Sequence, residues 1–406
     1  MIEFGKGYLS GINLVDPKIH ADINLQKIWK YIRSVQPIVW HPTEQGGFWV
    51  VSKYHDIRKI LSDNEHFTSE HGNSLDSLLA GRNPAAEKML TFSQGERHLA
   101  IRSEILKSLK RFTMQRITKN IEHNIRKRVT DILDTQCDLA EDFAKDIVLE
   151  TICNLMGIEN NQQKNELHSL SAKALSSVNR NATVEESAIA RNGILMLFAN
   201  IVEKRRSSLG DDLVSTLIKI EKTKINISFE EILYNCYMLF LGGNEEPRNA
   251  VVGMLKALSE DSIQWHQLKN KEINIDEAVE EILRWTTSLS HLGRTVVKDV
   301  SIGNQTFRSG EIVSLWISSA NFDEEVFSNP YSLVLNRSDN AHLSFGHGNH
   351  YCLGASLTRT IITKMITVLI DLVETIEIRG EIKPVYSNFL SGISSLPGCL
   401  HSCKYE

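Results

Sequence analysis

The run Phe345-Gly346-His347-Gly348-Asn349-His350-Tyr351-Cys352-Leu353-Gly354 decides how the rest of the chain reads. Its cysteine has one glycine four residues before it, another two residues after it, and an aromatic seven residues before it. That framing suits a sulfur held on a tight loop opening into a helix, predicted over 355–364. Glycine supplies positive φ and lets the backbone approach a flat ligand closely. Backbone N–H groups at the start of the following helix favour negative charge on the sulfur. A thiolate held this way is an axial ligand for haem iron. A lone Cys-x-Gly would read instead as a buried cysteine in a turn; the ten-residue frame goes well beyond that.

Size and composition bound the remainder. The chain has 406 residues and only 8 prolines, with no Pro-, Gly- or Ser-rich linker to divide it, so 1–406 reads as one large domain. A net charge of -5 without a basic stripe argues against a nucleic-acid partner. Six cysteines with no paired framework fit a reducing cytoplasm. Cys399, His401 and Cys403 make too small a ligand set for a metal site and read as an ordinary tail. The first 40 residues show neither a signal peptide nor a span long enough to cross a bilayer.

Apolar residues at helical spacing predict helices over 24–34, 54–62, 96–108, 114–133, 139–156, 185–209, 229–258 and 276–286. Asp211-Asp212-Leu213-Val214 reads as a further helix start, with acid in its first turn. Strand-like alternation is confined to 47–51, 293–297 and a hairpin pairing 300–307 with 310–317, while 71–84 and 177–183 read as loops. The expected fold is mainly α with a minor antiparallel β region.

On the helix predicted over 229–258, Leu239, Gly242, Gly243, Glu246 and Ala250 share one face. Each of the two glycines costs roughly 1 kcal/mol against alanine there, so space for a macrocycle, or a close helix crossing, must offset them. His98 and Arg102 stand four apart on a helix, and Glu281 and Arg284 three apart on another.

The cysteine frame resembles the haem-binding loop of the cytochrome P450 family, Phe-x-x-Gly-x-x-x-Cys-x-Gly, and continues in the family's manner as Ala355-Ser356-Leu357-Thr358-Arg359. The resemblance implies a soluble, bacterial-type enzyme of the P450 fold, monomeric, binding haem b (iron protoporphyrin IX) through Cys352, with Phe345 in the same loop. It implies haem propionates held by His98, Arg102, Arg294 and His350, with Gly242 and Gly243 beside the macrocycle. It implies that Glu281 and Arg284 form a buried ion pair completed by Arg337. Electrons would come from a ferredoxin or flavodoxin, met by a basic helix carrying Arg97, Lys107, Lys110 and Arg111. Walls for a small amphipathic substrate would come from 71–91, 167–180, 286–292 and 390–394, with Leu78, Leu79, Leu289 and Leu292 apolar and Thr287, Ser288 and His291 polar.

One stretch departs from the family. Where relatives read roughly Ala/Gly-Gly-x-Asp/Glu-Thr-Thr, this chain reads Gly242-Gly243-Asn244-Glu245-Glu246-Pro247. The acid is kept as Glu245, and the alcohol that steers protons to oxygen is replaced by Glu246. Pro247 lacks an N–H and its ring presses on the Gly243 carbonyl, so a kink is expected. A carboxyl in an apolar pocket should have a raised pKa and can both give and take a proton. Glu246 therefore reads as the proton donor of a monooxygenase, as the acid–base of a peroxide-driven peroxygenase, or as an anchor for a cationic substrate. Rivals of other classes are a haem-dependent rearrangement enzyme needing no electrons and a non-catalytic haem sensor.

Overall fold

The computed structural model describes residues 12–44, 46–81, 83–112, 118–174 and 183–403. Its helices are α1 (Pro17–Asp22), α2 (Gln26–Val35), α3 (Tyr54–Ser62), α4 (Leu75–Leu79), α5 (Gly95–Phe112), α6 (Thr118–Ile132), α7 (Lys145–Met156), α8 (Asn161–Ala174), α9 (Val184–Arg206), α10 (Leu213–Glu221), α11 (Phe229–Glu260), α12 (Ser262–Lys269), α13 (Ile275–Thr286), α14 (Ile317–Ala320) and α15 (Ala355–Leu372). Their starts follow local chemistry. Ser228 opens α11 with a reciprocal capping box: its hydroxyl accepts from the Glu231 N–H at 3.2 Å, and the Glu231 carboxylate accepts from the Ser228 N–H at 2.7 Å. Asp212 caps α10 by accepting from the Ser215 N–H at 2.7 Å. The stretch predicted as one helix over 139–156 opens with a π-helical segment, Leu139–Ala144, before α7.

The strands are β1 (Ile38–Thr43), β2 (Gly46–Val51), β3 (Phe67–Thr68), β4 (Cys137–Asp138), β5 (Leu292–Val296), β6 (Val300–Ile302), β7 (Gln305–Phe307), β8 (Ile312–Leu315), β9 (Val373–Ile378), β10 (Lys383–Pro384), β11 (Ile393–Ser395) and β12 (Pro397–Ser402). The largest sheet runs β1-β2-β8-β5-β3, antiparallel except where β2 meets β8 in parallel. The expected hairpin is therefore different. β6 turns at Gly303-Asn304 and pairs with β7, while β8 enters the large sheet between β2 and β5. Val313, Ser314 and Leu315 are all fully buried, as a central strand requires and an isolated hairpin cannot provide. The segment 71–84, expected to be a loop, contains α4, which is too short to show a period. Of the predicted loop 177–183, all but Thr183 lies outside the described residues.

The main core gathers around the C-terminal half of α11, where Val251, Val252, Met254 and Leu255 are fully buried against neighbouring helices. Beside it lies a buried ionic cluster. Arg284 donates to both Glu281 oxygens at 2.8 Å, Arg337 Nε adds a third bond at 2.8 Å, and the Val334 N–H adds another at 2.9 Å. The rest of the Arg284 fork donates to the carbonyls of Asn321 and Pro330. Such a pair is tolerated in an interior because its donors and acceptors are answered. It anchors α13 to the segment leading toward Cys352.

Candidate active site

An interior cavity is bordered by α11, by the residue 345–354 loop and by the segment between α13 and β5. The loop closes on itself where the Cys352 N–H donates to the Phe345 carbonyl at 2.9 Å. Gly348 sits at φ +72°, and an added Cβ would lie 2.6 Å from the Leu61 carbonyl oxygen, so glycine is required there. Cys352 faces the cavity. The Gly354 N–H approaches its sulfur and favours the thiolate, as the sequence led us to expect, but burial dominates and pushes the thiol up to about 12. A bound metal ion is what deprotonates such a thiol.

One end of the cavity is cationic. His98, Arg102, Arg294 and His350 all line it, drawn from α5, β5 and the cysteine loop. The His98 and His350 rings lie 4.5 Å apart. Arg294 is buried, and among the described residues its guanidinium's one hydrogen-bond partner is the adjoining Gly293 carbonyl at 2.8 Å. Burial lowers its pKa only to about 10, so it keeps its charge at neutral pH. His350 is driven down to about 3 by burial first and Arg294 second. Arg102 donates to the Tyr351 carbonyl, and burial lowers its pKa as well. Two guanidiniums beside two imidazole rings that can donate, with no carboxylate among them, call for an anionic ligand.

α11 supplies another border. It continues through Pro247 without interruption as a helix, and the missing proline N–H leaves the Gly243 carbonyl without its usual partner. The two glycines do different work. An added Cβ at Gly242 meets nothing within 4 Å, whereas at Gly243 it would lie 2.5 Å from Ile152 Cδ1 on α7. Gly242 therefore leaves room beside the cavity, and Gly243 permits a close helix crossing. Glu246 lines the cavity, and burial pushes its carboxyl up to about 7. Glu245 does not line it. Its carboxylate accepts from Asn244 Nδ2 at 3.0 Å and lies 3.7 Å from Arg248 Nε, and burial also raises its pKa. The acid kept from the family's pattern and the one that replaces its alcohol thus face different surroundings.

A family model for cytochrome P450 matches residues 248–394. The cytochrome P450 NovI of Streptomyces niveus is 36% identical over 392 residues, covering 96% of each chain. The chain belongs to the cytochrome P450 family. A steroid C26-monooxygenase of Rhodococcus jostii is 25% identical, over 94% of this chain and 83% of that one. Among solved structures, P450 OxyD, described as involved in the biosynthesis of vancomycin-type antibiotics, superposes with a TM-score of 0.86 at 26% identity, over 97% of this chain and all of that one.

Cytochromes P450 are monooxygenases that bind haem b through a cysteine thiolate, and the cavity of this P450 fits that group. It offers a buried sulfur, an open helix face at Gly242 and a cationic end suited to two propionates. Of the six cysteines, Cys352 is the one that lines the cavity. Cys399 and His401 lie instead on β12, where His401 Nε2 is 2.7 Å from Glu377.

The walls are only partly as expected. Leu289, Leu292 and Ser288 line the cavity of this P450, but Leu78, Leu79, Thr287 and His291 do not. None of the described residues in 167–174 reaches it. Sequence reasoning missed Met238, which has helical spacing in its favour, and Phe389, one residue before the predicted 390–394 wall. On the basic helix, Arg97 pairs with Glu231, Lys107 with Glu104 and Arg111 with Asp211, which softens the positive surface. Among the described residues, no helix is long and apolar enough to cross a membrane.

Proposed function

We propose that this P450 oxidises a small amphipathic molecule of secondary metabolism, with Glu246 in place of the usual oxygen-activating alcohol. The observation that carries this reading is the Glu246 carboxyl, which faces the cavity from α11 with no side-chain hydrogen bond or ion pair among the described residues. Haem, when bound, supplies the electron-transfer and oxygen chemistry. Cys352 is the residue to hold its iron, and His98, Arg102, Arg294 and His350 are those to hold its propionates. Secondary metabolism is favoured by the likeness to OxyD, with its stated place in antibiotic biosynthesis.

The residues of the chain then divide the remaining work. With its pKa raised to about 7, Glu246 can hold a proton near neutral pH and pass it to an oxygen atom in the cavity. Glu245 stands behind it, with Arg248 between it and the half-exposed Glu141 at 3.7 Å, so charge can be balanced from the surface side. The mixed walls, apolar at Leu289 and Leu292 and polar at Ser288 and Asn73, suit an amphipathic substrate. Electron supply from a ferredoxin or flavodoxin is part of this reading, and direct use of hydrogen peroxide is its variant. The unpartnered carboxyl also supports a second reading, in which it anchors a cationic group of the substrate.

The test separates these readings. Replacing Glu246 with threonine should favour electron-driven turnover over peroxide-driven turnover, whereas alanine should suppress the peroxide route. Peroxide turnover unchanged in the alanine variant excludes Glu246 as its proton carrier. A loss of binding confined to cationic candidate substrates would favour the anchor.

A further inference from the structure

His291 was expected in the cavity wall, and the structure places it behind that wall, fully buried between three segments. Its Nε2 lies 3.1 Å from the Leu75 N–H at the start of α4, and its Nδ1 lies 3.2 Å from the Asn388 carbonyl. An amide N–H can only donate and a carbonyl can only accept. The ring must therefore be neutral, with its proton on Nδ1. Burial and the neighbouring His20 hold it in that form by lowering its pKa to about 3. Trp316 covers one side at 4.9 Å, and Phe389 meets the ring edge-on at 5.4 Å.

Each segment that His291 touches carries a cavity-lining residue close by. Asn73 is two residues before Leu75, and its carbonyl accepts from the Gly293 N–H at 2.7 Å. Phe389 follows Asn388, and its carbonyl accepts from the Ser290 N–H at 2.8 Å. Leu289 and Leu292 flank His291 in its own segment. The Asn388 amide adds a cross-brace, donating to Asp76 on α4 at 2.9 Å and to the Val15 carbonyl at 2.7 Å.

We propose that His291 is a positioning residue for the oxygenase reaction. Its two hydrogen bonds set the spacing of the Asn73, Leu289/Leu292 and Phe389 walls, and hence the size of ligand the cavity accepts. The proposal rests on the reading that these walls hold substrate. It does not depend on Glu246 carrying a proton, since ligand binding alone tests it.

The experiment compares two azoles binding to the ferric holoprotein, read by the red shift of the main haem absorption band. Imidazole is too small to reach far into the cavity, and 4-phenylimidazole extends to its walls. His291→Phe keeps a ring against Trp316 but removes both hydrogen bonds, whereas His291→Gln keeps one donor and one acceptor. The expected result is that His291→Phe lowers 4-phenylimidazole affinity relative to imidazole affinity about tenfold, because walls released from two buried hydrogen bonds must be re-ordered when the larger ligand binds. His291→Gln should recover most of the ratio, and the sulfur-ligated carbon monoxide spectrum should persist in both. A ratio unchanged in His291→Phe, an equal weakening of both azoles, or a glutamine variant no better than phenylalanine would overturn the proposal. If the phenylalanine variant does not fold, His291→Leu is read in the same way.

Discussion

Arg294 and Glu246 line the same cavity, and the same force acts on both. Burial disfavours the charged form of each. Arg294 falls from its ordinary value to about 10 and stays a cation at neutral pH; Glu246 rises from 4.5 to about 7 and becomes a carboxyl whose proton is mobile there. One end of the cavity thus holds a fixed charge that demands an anion, and the α11 side holds a proton that can leave and return. The contrast teaches that burial alone does not create a proton carrier. The starting pKa must lie close enough to 7 for burial to bring it there, which a threonine alcohol or an arginine cannot meet.

The comparison presumes that the frame around both residues is rigid, and the largest effect should come from breaking it. Arg284→Ala leaves the buried Glu281 with Arg337 as its one ion-pair partner among the described residues and should destabilise the fold by about 3–5 kcal/mol. Purified variant should carry little or no haem, as seen in the ratio of haem to protein absorbance. Normal haem content with altered turnover would mean that the cluster acts on chemistry instead.

At the cationic end, Arg294→Met keeps much of the volume and removes the charge. Haem loss, measured as transfer to excess apomyoglobin, should quicken by about ten- to a hundredfold, the worth of a buried charge-assisted hydrogen bond. An unchanged rate would show that the other cationic residues suffice.

The acidic end makes a prediction in pH. A carboxyl raised to about 7 in the fold ionises more readily in the unfolded chain, near 4.5. Below 4.5 both states are protonated and there is no penalty. Between 4.5 and 7 the unfolded chain is increasingly favoured, and above 7 the penalty is constant. Glu246→Gln removes the titration, so its gain in urea resistance over the parent should grow between pH 5 and 7 and then level off. A gain independent of pH would contradict the assignment.

The smallest effect separates the two glycines. Gly242→Ala enters open space and should stabilise the helix by about 0.5–1 kcal/mol in urea unfolding while weakening haem retention. Gly243→Ala must push Ile152 aside, which cancels that gain.

Much of this was legible in the sequence because it was local. The cysteine loop, the Glu281–Arg284 pair and the face carrying Gly242 and Glu246 each follow from spacing within one element. What escaped was set by tertiary contacts. β8 follows β6 and β7 closely in sequence, yet pairs with β2 and β5, and no periodicity in 310–317 marks that choice. His291 and Leu78 look like wall residues by position, but the packing of α4 on Gly293 turns both away from the cavity. Glu245 and Glu246 adjoin in sequence, and the turn of the helix sends one toward Arg248 and the other into the cavity.

The most direct measurement is the rate at which the holoprotein consumes hydrogen peroxide, compared with Glu246→Ala and Glu246→Gln variants that keep the haem–thiolate spectrum. If Glu246 carries the proton, both variants should be slower by about a hundredfold or more, the usual contribution of a positioned acid–base group. Variants that consume peroxide at the parent rate would contradict the account.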